Sequence, residues 1–259
     1  MEKMRKIPVV LAENPADREA AELLAEHLRT EMVRRLTDVP EGTLVLKFCP
    51  EGLTLTDGKL SLRGDFSGMA RRLKTNNLRQ EMLVRAARIR RPERRPVAVD
   101  ATAGLGEDSL LLAAAGFTVV LYEYNPVIAA LLADALKRAR GDGNTVLASA
   151  AAEMHLHEED SAAALRKGSL HPELVLLDPM FPERKKSALI GKKFQLLQQL
   201  ERPCSEEEEL LQAAEAAHPG KIVIKRPLKG PYLAGRKPEY SISGKAVRYD
   251  CFVFPEYFS

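Results

Sequence analysis

The stretch "VAVDATAGLGEDSLLLAAAGFTVVLYE", residues 97–123, decides how this chain is read. Small and β-branched residues lead into Asp100 as a short buried strand, and Gly104 and Gly106 make the turn that follows. "EDSLLLAAAG" is then a helix stopped by Gly116, and "TVVLYE" is a second strand ending at Glu123. The pattern repeats downstream. "NPVIAALLADALKRARGDG" predicts a helix capped by Asn125 and ended by Gly141, while "TVLAS", "LVLLD" and "KIVIKRP" predict three more strands. Strand–helix alternation of this kind implies a parallel, doubly wound sheet with right-handed crossovers.

The last stretch, "YSISGKAVRYDCFVF", predicts an antiparallel hairpin around Gly244-Lys245. Five parallel strands closed by such a hairpin resemble the α/β, Rossmann-like arrangement of the class I methyltransferases, which implies a mostly parallel seven-stranded sheet with a C-terminal antiparallel hairpin. Upstream the pattern differs. A short strand at residues 7–11 precedes a helix with Asn14 as N-cap and Pro15 at its first position, and Asp57-Gly58 joins two alternating runs as a hairpin turn. The predicted organisation is a small N-terminal α+β module (residues 1–68), a basic helical linker (69–96) and a methyltransferase domain (97–259).

With 259 residues and 45% hydrophobic content, the chain can bury one large core plus a small extra module. Its apolar runs are too short and interrupted for a membrane helix, and the N-terminus lacks the apolar stretch of a signal peptide. Cys49, Cys204 and Cys251 are scattered, which predicts reduced thiols in a cytoplasmic protein and no metal site. His155 and His157 lie near acids and are expected to be solvated.

The net charge of +3 says little, but its distribution says more. Residues 67–95 hold ten Lys or Arg against Glu81 and Glu93, and further basic groups follow at residues 184–186 and 225–226. This segregation suggests a face for a polyanion, with Arg71, Arg72, Lys74, Arg184, Lys185, Lys186, Lys225 and Arg226 as candidate RNA contacts. A solvated helix face is the alternative for the first cluster.

Ligands of open α/β sheets sit beyond the C-terminal strand ends, which places Asp100, Gly104 and Gly106 at a cofactor. The spacing departs from the dinucleotide fingerprint: Ser109 holds the third glycine position, and Glu107 and Asp108 put negative charge where a pyrophosphate needs positive potential. Two acids there suit a ligand with a cationic amino group, and S-adenosylmethionine (SAM) carries an ammonium and a sulfonium. Glu123, nineteen residues after Gly104, is placed to accept ribose hydroxyl protons. Ser149, read as following the third strand, is placed to face the adenine.

Asp178 ends the fourth strand, and Asp178-Pro179-Met180-Phe181 resembles the D/N-P-P-F/Y/W motif of methyltransferases acting on exocyclic amino groups. An aryl amine is a poor nucleophile because its lone pair is delocalised into the ring. A carboxylate and the rigidly held Pro179 carbonyl can both accept its N–H protons and aim that lone pair. Phe181 can stack on an extruded base.

"VDATAGLGEDSLLLAAAGFTVVLYEYNPVIAALLADAL", "LLDPMFPERKKSAL" and "KIVIKRP…PYL" together resemble the ribosomal RNA small subunit methyltransferase J family. That resemblance implies methyl transfer from SAM to the N2 amino group of a guanine in 16S rRNA, with the rRNA or the small ribosomal subunit as partner. Carried over to matching positions, it implies SAM contacts at Glu107, Asp108, Glu123, Tyr124, Ser149, Ala150 and Asp178. Ala150 stands where the family often has a second serine, so that contact is backbone only. Rival readings are a methyltransferase for another amine, an RNA-binding factor retaining the fold, and, more distantly, a nicotinamide enzyme. Oligomeric state is left open by the sequence.

Overall fold

Strand β6 (Val97–Asp100) is central in the larger sheet, and its Ala98, Val99 and Asp100 are buried because both sheet faces are covered. The computed structural model describes residues 8–89, 94–168, 170–179, 192–200 and 206–255. From β6 the chain passes through α4 (Glu107–Ala114) to β7 (Thr118–Tyr122), then α5 (Pro126–Arg140), α6 (Thr145–Ala152) and β8 (Met154–His157). It returns across the sheet by α7 (Ser161–Arg166) to β9 (Leu174–Leu177). Helices α8 (Lys192–Leu200) and α9 (Glu207–Ala216) lead to β10 (Lys221–Pro227), and the hairpin β11 (Tyr240–Ser243) and β12 (Val247–Val253) completes the order β11-β12-β10-β9-β6-β7-β8. Strands β6 to β10 pair in parallel, and β12 runs antiparallel against both β10 and β11. The expected seven-stranded sheet is present, with its hairpin folded in so that the last strand lies inside the edge.

The N-terminal residues form a second, five-stranded sheet of order β2-β1-β3-β4-β5. Its strands are β1 (Val9–Leu11), β2 (Met32–Val33), β3 (Val45–Lys47), β4 (Thr54–Thr56) and β5 (Ser61–Leu62), with α1 (Arg18–Leu28) packed on β1. The Asn14 side chain accepts the Ala16 N–H, and Asp57 Oδ1 accepts the N–H groups of Lys59 and Leu60 to close the hairpin. The Asp57-Gly58 turn therefore acts as read, whereas Asn14 caps a 3-10 turn at Pro15–Asp17 that runs into α1, whose own N-cap is Asp17. Leu44, Leu46 and Leu55 share a core with Val127, Ile128 and Leu131 of α5 and with Leu196 and Leu200 of α8, so this sheet docks on the larger domain.

Two expectations fail locally. "TVLAS" is not the third strand but the start of α6, and β8 begins five residues later. Asn144 explains this: its Oδ1 accepts from Val146 N at 3.1 Å and Leu147 N at 3.2 Å, capping a helix that the alanines continue. Leu147, Ala150 and Ala151 are the buried face, at helical spacing. His155 and His157 consequently lie in a strand, with the His157 ring tilted against Tyr122 at 5.4 Å between centroids.

The basic segment is not a continuous helix either. It is a 3-10 turn at Ser67–Met69, then α2 (Thr75–Leu78) and α3 (Met82–Ala86), interrupted where Lys74 and Glu81 turn extended. Nor is it a free linker. Met69, Leu73, Leu78, Leu83, Ala86 and Ala87 are buried in the same core as Leu110, Leu111 and Val223, closing one face of the large sheet. Lys221 fastens its end, donating from Nζ to the carbonyls of Ala86 (3.0 Å) and Arg88 (2.8 Å).

Candidate active site

Strands β6 and β9 are neighbours, yet the chain leaves them towards opposite sides of the sheet, which makes their C-terminal ends the switch point where a ligand crevice forms. Thr102 knits the two ends together: Asp178 N–H donates to its Oγ1 at 2.6 Å. The reacting-side segment is thereby fixed to the glycine turn.

That turn is held from beneath and from one side. Beneath it, Asp100 is buried, and its carboxylate accepts Ser109 Oγ–H at 2.5 Å and Thr102 N–H at 3.1 Å. Asp100 therefore braces the loop and does not face the crevice, a correction to its reading as a cofactor contact. Burial pushes its carboxyl up to about 7, with the Ser109 and Thr102 hydrogen bonds opposing. Ser109, which broke the dinucleotide fingerprint, is thus the partner of that acid.

From the side, Glu123 spans two loops. Its Oε2 accepts Gly104 N–H at 3.0 Å and its Oε1 accepts Asn125 N–H at 2.8 Å. Gly104 has φ +53 and no described atom within 4 Å of where a Cβ would stand, so the backbone is open to an incoming group. Gly106 differs: with φ +76 it starts α4, and a Cβ there would fall 2.7 Å from Leu132 Cδ1. Half-buried Glu107 and Asp108 occupy the first turn of α4. Tyr124 is exposed beside Glu123. These groups fit SAM: an open glycine backbone with carboxylates around it offers acceptors to a cationic amino acid moiety and to ribose hydroxyls.

Ser149 and Ala150 are not brought to this edge. Both lie in α6, which enters β8 at its amino end; there Glu153 accepts Thr118 Oγ1–H at 2.9 Å, and its carbonyl accepts Val119 N–H. Ser149 is exposed and Ala150 is buried in the core at the wrong end of the sheet. The position after the third strand belongs instead to Glu158, Glu159 and Asp160, and Asp160 Oδ1 caps α7 by accepting Ala163 N–H at 2.7 Å. The period-two alternation of "MHLH" is the sequence signal for this strand, whereas the β-branched pair Thr145-Val146 is taken up in α6.

On the reacting side, Asp178 is half-buried and Pro179 is buried. Burial raises the Asp178 carboxyl above its ordinary value, while Lys225 pulls it back. Phe181, Arg184, Lys185 and Lys186 lie outside the described residues. Of the other basic candidates, Arg71 and Lys74 are exposed, but Arg72 is committed to Glu81 by two hydrogen bonds of 2.7 and 2.9 Å. Arg226 is fully buried, donating to the Pro231 carbonyl and to Glu207, so it braces the loop after β10 and cannot grip a phosphate. Lys225 is held between two carboxylates, at 2.7 Å from Asp108 Oδ2 and 2.9 Å from Asp178 Oδ2. Both corrections follow from burial: alternate residues of β10 point to opposite faces, and each cation finds an acid there.

Among the described residues there is no cluster of His, Cys, Asp or Glu fit to hold a metal, and no helix is long and apolar enough to cross a membrane. Residues 31–254 match the family described as "Putative SAM-dependent methyltransferase". A SAM-dependent methyltransferase from Neisseria gonorrhoeae has the same architecture, with a TM-score of 0.70 and 28% identity over 95% of both chains. The fold and the crevice at its switch point accordingly define a class I SAM-dependent methyltransferase. A ribosomal RNA small subunit methyltransferase J from Thioalkalivibrio sulfidiphilus is 40% identical over 91% of this chain and 93% of its own length. Another from Pseudomonas savastanoi is 37% identical over 88% and 86%. The chain belongs to the ribosomal RNA small subunit methyltransferase J family.

Proposed function

We propose that the protein transfers a methyl group from SAM to the exocyclic N2 amino group of a guanine in 16S rRNA, in the cytoplasm, acting on the rRNA or the small ribosomal subunit. The carrying observation is the position of Asp178-Pro179: at the end of β9, tied through Thr102 to the glycine turn that faces the cofactor. The small-subunit rRNA substrate is supported by the names of the relatives.

SAM, when bound, supplies the methyl group as an electrophile on a sulfonium. The chain supplies orientation. Asp178 accepts one N–H of the guanine amine and the Pro179 carbonyl accepts the other, which draws the nitrogen lone pair out of conjugation and aims it. As the N–C bond forms the S–C bond to the methyl breaks, S-adenosylhomocysteine leaves, and the surplus amine proton passes by way of Asp178 to solvent. Phe181 stacks on the base, and the lysines and arginine at residues 184–186 hold the adjoining phosphates. Glu107 and Asp108 face the amino acid part of the cofactor, and Glu123 faces its ribose. No covalent enzyme intermediate is involved.

Mass-spectrometric mapping of N2-methylguanosine in 16S rRNA, with and without the gene, tests this reading. Loss of one such nucleotide, restored by the wild-type gene and not by Asp178→Ala, is expected. An unchanged set of modified guanines would overturn it.

A further inference from the structure

Strand β10 carries its polar residues on alternate faces. Lys221 and Lys225 share the face of α3 and α4, whereas Arg226 points to the face of α9 and meets Glu207. The register sets Ile224 against Leu177 of β9, so Lys225 follows at the level of Asp178, with Tyr249 of β12 on its other side. The first turn of α4 brings Asp108 to the same point. Its ammonium thus joins an acid of the cofactor side to the acid of the reacting side, at 2.7 and 2.9 Å.

We infer that Lys225 is a positioning residue for methyl transfer: it crosslinks Asp108 to Asp178 and holds Asp178 as an ionised, correctly aimed hydrogen-bond acceptor for the substrate amine. This rests on the role proposed above for Asp178.

Three observations carry it. First, the lysine is mostly buried and both carboxylates lie within charge-assisted hydrogen-bonding distance, so its charge serves the interior and is not spare for a phosphate. Second, the crevice needs a cation there. Asp108 and Asp178 face each other's charge, and burial already favours the protonated acid at Asp178. A protonated Asp178 would offer an O–H donor on one oxygen where the amine needs an acceptor. Third, the surroundings supply no free substitute among the described residues. Arg72 is paired with Glu81, Arg226 with Glu207, Asp100 is bound by Ser109, and the Tyr249 hydroxyl is pushed far above its usual value by burial and by Asp108. Burial disfavours the Lys225 ammonium, but Asp178 and Asp108 outweigh it and raise its pKa, so the cation persists.

The test reads the Asp178 carboxyl directly in the cofactor-free full chain. Protein carrying 13C at the aspartate carboxyl carbon is titrated by NMR, with the Asp178 signal assigned by its absence in Asp178→Asn. Lys225→Met should move the Asp178 midpoint upward by one pH unit or more, and Lys225→Arg should restore most of it. Asp108→Asn should move it downward, because it removes a repelling charge and leaves the lysine to Asp178 alone. The acid limb of kcat against pH should move in the same directions. An unmoved Asp178 midpoint in folded Lys225→Met overturns the inference, and so does an upward shift in Asp108→Asn, which keeps the test open if Lys225→Met does not fold. The NMR result is independent of RNA, so a wrong substrate would leave it standing.

Discussion

Glu123 Oε2 accepts the Gly104 N–H at 3.0 Å, joining the end of β7 to the glycine turn after β6 across nineteen residues of sequence. Its second oxygen takes the Asn125 N–H that precedes α5, so one buried carboxylate sets the entry to two elements. Glu123→Ala leaves both amide groups without this acceptor. A loss of about 2 kcal/mol in unfolding free energy is expected, the cost of unsatisfied buried donors. SAM affinity should fall by roughly tenfold or more, since Glu123 is proposed to accept the ribose hydroxyl protons and also sets the loop shape. Urea denaturation and calorimetric titration with SAM check the two parts separately; full stability with full affinity would refute both.

The two glycines of the turn should respond differently to alanine. Gly106→Ala puts a Cβ 2.7 Å from Leu132 Cδ1 in a closed core, on a residue with φ +76. It should destabilise the protein by roughly 2–4 kcal/mol, combining left-handed strain with overpacking. Gly104→Ala meets open space, so only the strain at φ +53 applies, about 1 kcal/mol, and its larger effect should be on SAM affinity. Denaturant midpoints and binding constants of the two variants distinguish a packing glycine from a ligand-facing one.

The large fold was legible because its signals are local and repeated: Asn125 and Gly141 bound α5, and the Gly244-Lys245 turn predicts the β11–β12 pair that the structure contains. Thr145 and Val146 have strand-like side chains and so imitate the third strand, but their fate depends on whether Asn144 caps a helix. The cofactor-side acids were legible as a group but not by role. Nothing in "VDATAGLGEDS" distinguishes Asp100, whose carboxylate points down to Ser109, from Asp108, whose carboxylate meets Lys225; that depends on which side of the turn each occupies. The same holds for Lys225 and Arg226. Adjacent in a basic run, they look alike until the pleat sends one to Asp178 and the other to Glu207.

Asp100 makes stability depend on pH in a defined direction. Its carboxyl is raised by burial to about 7, against 3.8 for an unperturbed aspartate. The folded state therefore binds this proton more tightly than the unfolded state. The associated stability is complete below pH 3.8 and is lost as pH rises through about 7. Asp100→Asn does not titrate, so the difference in unfolding free energy, variant minus wild type, should climb between pH 4 and 7 and level off above. An upper bound for the climb is about 4 kcal/mol. Urea denaturation at several pH values measures it, and a difference that is flat or falls would contradict the burial-driven shift.

Asp178→Ala separates chemistry from cofactor binding. The carboxylate is proposed to accept the substrate N–H, and SAM is proposed to be held mainly from the β6 and β7 side. A fall in kcat of about 10²- to 10⁴-fold is expected, the range for removal of a group acting on a reacting proton. The SAM dissociation constant should change only a few fold, because Lys225 remains paired with Asp108. Single-turnover methylation of an rRNA fragment and calorimetry give the two numbers. Equal losses in both would reassign Asp178 to cofactor binding.

The basic segment divides by pairing state. Arg71 and Lys74 are exposed, and their side chains are proposed to contact phosphate; Arg72 spends its guanidinium on Glu81. Changing both Arg71 and Lys74 to Ala should weaken RNA binding and lower the slope of log affinity against log salt by roughly 1 to 2, with no change in melting temperature. Arg72→Ala should do the reverse. It breaks a bidentate pair that joins the turn after Met69 to the residue capping α3, at a cost of roughly 0.5–1 kcal/mol, since the arginine is partly open to water and screened. Its effect on the salt slope should be small. Fluorescence anisotropy with a labelled rRNA hairpin between about 50 and 200 mM salt reads the slope, and thermal denaturation reads the stability. If Arg72→Ala lowers the slope as much as the loss of Arg71 and Lys74 together, the Glu81 pair opens on RNA binding and the arginine belongs to the RNA surface after all.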